Sequence, residues 1–498
     1  MTGADSEKRW ILYSWAIIFL FFLLLGLRWL LLPNFLDIYY HLSVAQGFAK
    51  AGGFSSHDFW SYAPVGRAHL YPPLFHFIIL LFLKLGLPVL SIARLLDFIS
   101  FPLLLAVIWF FMRSLFSARI AFFAVLISSS LYSFYLASAN FIPVTLSFIL
   151  GLFSFWAFER GKIISASLLL ALAFYAHAQI PWFLVLVYLI YGLLNRGILT
   201  RCLKTVFFAV LAALPLLVYL FQNSSYYNPK SAYEGFILEI NLSVILFVLA
   251  LPEVFKKKGR HYLLLAFALG TLGFVFSYPY RYISGQGLLG LILLSAVGIE
   301  RVWLKGKKAV FFLLIFLFIC SPALFLMRKQ PPGLAPFNST YVNLAAFAKS
   351  AERPNDYSLC SSKFIPELVK IIRDNSQKEE IIFTNLKFIG TMLCALSDRP
   401  YAAGGLNEVM PLAKTDPFAN ARLIIWFNDP GGRQEQALAG LVSKYGLEKI
   451  AETEIAQVYR NNATRARADI PSADVSNKLI LIIALLVIAV FVWDWGHP

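Results

Sequence analysis

Stretches of about 20 apolar residues recur along most of this 498-residue chain, and that recurrence limits what it can fold into. They lie near 10–32, 88–112, 120–138, 143–159, 163–178, 179–194, 205–222, 237–255, 261–277, 282–300, 309–327 and 478–494. A helix rises about 1.5 Å per residue, so each stretch approaches the ~30 Å of hydrocarbon that a spanning helix must cross. Composition removes the soluble alternative: 59% of residues are hydrophobic and 14% are charged, where a soluble domain carries roughly 25% charged residues. The chain reads as a mainly α, polytopic membrane protein of about twelve spanning helices.

Charge then orients it. The net charge of +16 would suit nucleic acid, but Lys and Arg also gather in the cytoplasmic loops of membrane proteins. One further apolar stretch, 70–86, decides the count. If it does not cross, the clusters Arg113 to Arg119, Arg160 to Lys162, Arg196 to Lys204, Lys256 to Arg260 and Arg301 to Lys308 share one side with Lys8 and Arg9. We therefore place 70–86 in the outer interface; its start, Tyr71-Pro72-Pro73, breaks regular structure. The N-terminus is expected in the cytoplasm, with an uncleaved first span. Nucleic acid is not an expected partner; the bilayer is.

This gives a membrane domain over 1–327 with a long outer loop at 33–87, a polar extracytoplasmic segment over 328–477, and a last span over 478–498. The polar segment alternates helical patterns (341–351, 366–373, 434–445) with strand patterns (380–384, 423–427, 455–459), which predicts a small α/β domain. Gly446 stands where a helix C-cap belongs. Cys360 and Cys394 both fall here, and a disulfide or two free thiols are equally compatible with the sequence. No cysteine pair has zinc-ligand spacing, and no HExxH or phosphate-binding glycine loop is present.

Ionisable groups at the membrane boundary carry the chemical information. Asp37 follows the first span in Phe35-Leu36-Asp37-Ile38-Tyr39-Tyr40-His41, as a helix cap or as a functional carboxylate. The same loop holds His57, Asp58, Arg67, His69, Tyr71 and His76. An aromatic belt explains the tyrosines but not three histidines beside an Asp and an Arg; a polar substrate at the membrane surface explains both. Arg281, in Tyr280-Arg281-Tyr282, is a strong base on the side where bases are scarce, and its planar donors suit phosphate. Glu234, Glu239 and Lys230 border another outer loop and read first as solvated charges. Arg94 and Asp97, three residues apart, are expected to neutralise each other within a span. His177 reads as a hydrogen-bonded membrane histidine or a site residue.

Together these features resemble the GT-C superfamily of membrane glycosyltransferases, above all the oligosaccharyltransferase catalytic subunit and its prokaryotic relatives. Asp37-Ile38-Tyr39-Tyr40-His41-Leu42 is similar to that family's first-loop motif, and Tyr71-Pro72-Pro73-Leu74 to the end of the same loop. Two family features are missing. The second outer loop, Ser138 to Thr145, has no carboxylate pair for a divalent metal, and the WWDYG signature is absent near 382–388. A metal requirement therefore stays open. The resemblance implies transfer of a sugar from a polyprenyl phosphate to a hydroxyl of a glycan, lipid or protein. It implies Asp37 as the base, Arg281 at the phosphate, and Tyr39, Tyr40, His41, His57, Asp58, Arg67, Tyr71, His177 and Glu234 around the substrates. An inactive homologue that binds a lipid-linked glycan, and a transporter or flippase, are the alternatives.

Overall fold

The computed structural model describes residues 3–33, 35–140, 142–227, 237–274, 285–306, 308–327, 330–344, 364–405, 416–428 and 435–496. Helix α1 (Gly3–Leu27) leads into α2 (Asp37–Ala51). Gly52 ends α2 at φ 86°, a left-handed shape that a Cβ resists. Strand β1 (Gly53–Phe54), an irregular loop and α3 (Leu74–Lys84) follow. The bundle continues through α4 (Val89–Leu115), α5 (Ala118–Ser130), α6 (Tyr132–Asn140), α7 (Ile142–Glu159), α8 (Ile163–Ala176), α9 (Ile180–Leu194) and α10 (Leu199–Gln222). Next come β2 (Ile237–Asn241), α11 (Leu242–Lys257), α12 (His261–Gly270), α13 (Leu288–Leu304), α14 (Lys308–Cys320), β3 (Ala323–Met327) and β4 (Gln330–Ala335).

The last part holds α15 (Phe364–Asn375), β5 (Ile382–Thr384), α16 (Lys387–Ser397), β6 (Leu423–Phe427), α17 (Glu435–Tyr445), β7 (Glu448–Glu452), β8 (Ala456–Arg460), β9 (Val475–Ser476) and α18 (Asn477–Gly496). Its sheet runs β5-β6-β8-β7, with β5 and β6 parallel and the rest antiparallel.

Six helical segments among the described residues are long and apolar enough to cross a membrane: Ser6–Leu27, Val89–Leu115, Ile142–Glu159, Arg196–Gln222, Gly285–Leu304 and Asn477–Gly496. Helix α3 has 11 residues, only about 16 Å of rise. Two expected spans are corrected. The stretches 237–255 and 309–327 each give one end to a strand, and β2 pairs antiparallel with β3 from Ile237↔Met327 to Asn241↔Ala323. The physical reason is local. Helix α14 stops before Ser321-Pro322, where the ring and missing N–H of proline disfavour continuation. Residues 237–241 carry two β-branched isoleucines that suit a strand. The stretch 120–138 is broken at Leu131, which bridges to Ser339.

Charged helix ends meet at one end of the bundle. Arg119 pairs with Glu300 at 2.8 Å, Arg260 with Glu159 at 2.9 Å and Arg113 with Glu7 at 3.7 Å. Lys162 donates to the Asp494 carbonyl at 2.8 Å. The ends of α1, α4, α5, α7, α8, α12, α13 and α18 that carry or border basic clusters are thus neighbours. A cavity of about 540 Å³ opens here, lined by Glu7, Trp10, Arg113 and Arg119 among others.

At the other end, the first long loop and the last part of the chain share one apolar cluster. It joins Tyr39, Leu42, Trp60 and Phe75 to Leu368, Met392, Tyr401 and Ile424. Backbone bonds fasten the two: Ala63 N–H to Tyr401 O at 3.0 Å and Tyr401 N–H to Trp60 O at 2.9 Å. Gln46 donates to Ala395 O at 2.9 Å, and Lys50 pairs with Asp398 at 3.0 Å. Strand β1 pairs with β9, so the chain just before α18 is tied to the same loop.

Candidate functional site

Helix α2 sorts its motif by face. Residues three and four apart stack on one side of a helix, so Asp37, Tyr40 and His41 share a face and Tyr39 looks elsewhere. Tyr39 is fully buried in the cluster with Trp60 and Phe75. Tyr39, expected at the substrate, thus packs in this core. Asp37 opens the helix itself rather than capping one that begins later; Leu36 holds the cap position. Its side chain is 19% exposed, and its Oδ2 lies 3.4 Å from Nε2 of the buried His41.

The other ring nitrogen of His41, Nδ1, is 3.0 Å from His76 Nε2. The row extends to His69, whose ring centroid is 5.1 Å from that of His76. Burial pushes His69 down to about 3 and His76 well below the usual imidazole range, with His41 adding to both. Tyr71 meets the His41 ring edge-on at 4.7 Å and lies 6.0 Å from the His177 ring. His177 Nδ1 accepts the N–H groups of Gln179 and Ile180 at 3.1 and 3.2 Å. That lone pair is committed to the start of α9, so His177 borders the site through Tyr71.

A second group lies further along the loop. Asp58 and Arg67 exchange backbone hydrogen bonds of 2.7 and 3.3 Å, and His57 bridges Ala68 beside them. The turn between them needs Gly66 at φ 70°, where a Cβ would also strike the His57 ring. His57 Nε2 bonds Val65 O at 2.9 Å within this turn, so this histidine, expected near the substrate, also shapes the loop. Asp58 accepts the Ser61 N–H at 3.1 Å, and burial raises its carboxyl to about 6 despite Ser61 and Arg67. The buried Arg67 guanidinium lies over the Tyr62 ring at 4.6 Å and within 5.6 Å of Tyr226, a cation–π arrangement. Tyr219 and Tyr227, from the end of α10 and just beyond, donate to Ser56 O and Leu70 O at 2.6 and 2.9 Å. Tyr40 links the two groups. It packs against Tyr71, and burial, then Asp58, raise its phenol well above the usual value.

Arg281, Glu234 and Lys230 lie outside the described residues. Glu239, expected as a solvated charge, is corrected: it is 1% exposed on β2 and accepts from Asn241 Nδ2 at 3.0 Å. Burial raises its carboxyl. Arg94 donates to the Leu32 and Leu30 carbonyls, both at 3.2 Å, rather than neutralising Asp97. Cys394 is a free, buried thiol, and Cys360 lies outside the described residues. Among the described residues no three His, Cys, Asp or Glu side chains are arranged to hold a metal ion. Thr145 Oγ1 on α7 donates to Ser138 O on α6 at 2.5 Å.

Sequence reasoning set out the first-loop residues but not their partition. Tyr219 and Tyr226 carry no local signal; only the approach of α10 and the turn after it brings them to the first loop.

No family model matches the chain, and no curated protein matches it in sequence. Solved structures do match. The chain superposes on the apo archaeal oligosaccharyltransferase from Archaeoglobus fulgidus with a TM-score of 0.51 and 12% identity, over 92% of this chain and 75% of that one. The archaeal oligosaccharyltransferase AglB from the same organism, in complex with an inhibitory peptide and a dolichol-phosphate, gives 0.50 and 11%, over 90% and 74%. ArnT from Cupriavidus metallidurans bound to undecaprenyl phosphate gives 0.50 and 15%, over 94% and 100%. The chain shares the fold of the archaeal oligosaccharyltransferase and of ArnT.

Proposed function

We propose that the chain transfers a sugar from a polyprenyl phosphate to an acceptor hydroxyl at the outer face of the membrane. The observation that carries this is Asp37: a partly exposed carboxylate at the first turn of α2, 3.4 Å from a buried histidine and set where the bundle meets the first loop. The GT-C fold supports the donor class, since two solved proteins of that fold hold dolichol-phosphate and undecaprenyl phosphate. The gathering of basic helix ends at the opposite end supports a cytoplasmic N-terminus and an outer-face site.

In the proposed reaction the acceptor oxygen attacks the anomeric carbon and its proton passes to Asp37. The bond from that carbon to the phosphate oxygen breaks, and its electron pair leaves with the polyprenyl phosphate. A base within reach of the attacking group is worth typically ~10²–10⁴-fold. Arg281, assigned by resemblance, would meet the departing phosphate, an electrostatic role. Tyr40, Tyr71 and Arg67 offer aromatic faces and a buried cation for the sugar and its headgroup. The prenyl tail would lie against the apolar helices, at about 0.8 kcal/mol per buried CH₂. Glycan, lipid and protein hydroxyls all remain open as acceptors.

The test is Asp37→Asn in a reconstituted transfer assay. Retention of donor binding with loss of turnover supports the reading; undiminished turnover removes Asp37 from the mechanism.

A further inference from the structure

We propose that the cleft between α18 and the helix bundle holds the isoprenoid tail of the lipid donor. The inference rests on the donor class given above and deepens it, by naming where the apolar part of that substrate lies.

Helix α18 is fastened at both ends. At its outer end β9 pairs with β1, Gly53↔Ser476 and Phe54↔Val475. The N–H groups of Ala473 and Asn477 donate to the carbonyls of Ala51 and Gly52 at 3.1 and 3.2 Å, and Asp474 Oδ2 accepts the Ser56 N–H at 2.6 Å. The pairing needs Gly53, because a Cβ there would lie 2.1 Å from Val475 O. At the inner end, the N–H and the hydroxyl of Ser165 both donate to Asp494 Oδ2, at 3.0 and 2.6 Å. This sets a carboxylate at the first turn of α8, where the helix dipole favours one. Trp495 stacks on Trp156 of α7 at 4.7 Å.

Between these anchors α18 stands clear. None of its residues is buried, and Leu481, Ile482, Ile483, Ala484, Leu485 and Leu486 are all exposed. Six successive residues, about 100° apart, go right round a helix, so no side of α18 is packed at mid-span. A helix laid against the bundle would bury one face. Steps of three and four from Trp495 mark the face turned to the bundle: Phe491, Val487, Ala484 and Ile480. Three of these are half-buried, and Ala484, the smallest, is exposed. The same steps from Trp156 lead to Phe153 and Leu150 on α7, and from Ser165 to Leu168 and Leu172 on α8, all half-buried. Both walls of the cleft are apolar, so within a bilayer hydrocarbon fills it.

The outer end of the cleft selects the occupant. A phospholipid needs room for its headgroup directly above its chains, and the β1–β9 pair closes that space. A lipid whose headgroup is held to one side needs none. Strand β1 belongs to the first loop, and the candidate site adjoins it. The Ser56 carbonyl accepts the His69 N–H at 2.7 Å and the Tyr219 hydroxyl at 2.6 Å, and Asp58 follows two residues later. A phosphate held by the first loop leaves its prenyl chain at the mouth of the cleft.

The experiment uses the full chain in nanodiscs. Undecaprenyl phosphate and phosphatidylglycerol, each with a diazirine in its chain, are the probes. After illumination, mass spectrometry should find undecaprenyl adducts on residues 480–487 and on the facing Leu150 or Leu168 turns, displaced by unlabelled undecaprenyl phosphate. Undecaprenyl adducts confined to other helices overturn the proposal. So does labelling of α18 by phosphatidylglycerol that undecaprenyl phosphate does not displace. Undecaprenyl adducts nowhere on the chain overturn the functional reading beneath it as well.

Turnover of undecaprenyl-linked and farnesyl-linked sugar phosphates separates tail from headgroup. Ala484→Trp, which fills the cleft, should raise KM for the undecaprenyl donor by ~10-fold, with kcat and the farnesyl donor within about twofold. Leu486→Trp adds bulk on the opposite side of α18 and should leave both donors unchanged. A KM untouched by Ala484→Trp, or raised equally by both substitutions, overturns the proposal. Where no sugar phosphate turns over, the adduct map decides alone.

Discussion

Where α1 begins, carboxylates meet cations: Glu300 holds Arg119, Glu159 holds Arg260, and Glu7 faces Arg113. Where α1 hands over to α2, ionisable groups are buried among aromatic rings, and several titrate far from their usual values: Asp58, His69 and His76. The first pattern is what fastening helix ends requires, because each pair cross-links two elements while its arginine stays partly in water. The second costs stability, since burial of a titratable group penalises its charged form. Such a cost is usual where groups are tuned for chemistry. The contrast argues for a working end and a fastening end.

The largest test of that contrast is Asp37→Asn against Glu300→Gln. The former should lose ~10²–10⁴-fold in turnover with thermal unfolding unchanged, and the latter should keep full turnover per folded molecule. Equal losses in both would erase the distinction between the ends.

Acid comes next. His69 takes a proton near 6.5 when unfolded but only near 3 when folded, so between those values the unfolded chain binds more protons. Stability present at pH 7 is therefore lost as pH falls below about 6.5, by up to roughly 4 kcal/mol near pH 3. His69→Phe should flatten that slope in unfolding scans between pH 7 and 4; an unchanged slope would mean that the ring is not dry.

Asp58 works with the opposite sign. Its folded value near 6 lies above its ordinary 3.8, so its charged form penalises the fold above about pH 6 and the penalty fades below about 4. Asp58→Asn should stabilise by up to about 2–3 kcal/mol at pH 7, and the gain should vanish by pH 4. A loss of stability at pH 7 would show that Arg67 needs that charge.

The smallest effect is expected at the fastening end. Glu300→Gln should destabilise by about 1–2 kcal/mol, below the cost of breaking a fully buried pair, because Arg119 is 25% exposed and water screens what remains. Unfolding midpoints in detergent would measure it.

Much of this was legible in the residues. The apolar stretches predicted most helices, the short α3 and the ends with basic clusters, because lipid demands length and charge asymmetry and both are local counts. The α2 motif was legible as a motif, yet only helix periodicity in the folded chain separated Asp37 and His41 from Tyr39. Strands β2 and β3 were hidden because a five-residue apolar run suits a strand or a helix end equally well. Glu239 was misread for a related reason: its burial comes from β3 and the neighbouring helices, not from its sequence neighbours.

The sequence by itself determined the solvent, the helical character and the presence of an acidic, histidine-rich first loop, since each follows from side-chain transfer energies and short-range spacing. The tertiary structure alone decided which histidines meet. His41 and His76 are 35 residues apart, and α2 and α3 must fold against each other before their ring nitrogens can share a hydrogen. The same holds for Tyr401 and Trp60, joined across the chain by backbone bonds. Contacts of that kind arise from packing, which sums over elements distant in the chain and leaves no mark in any local stretch of residues.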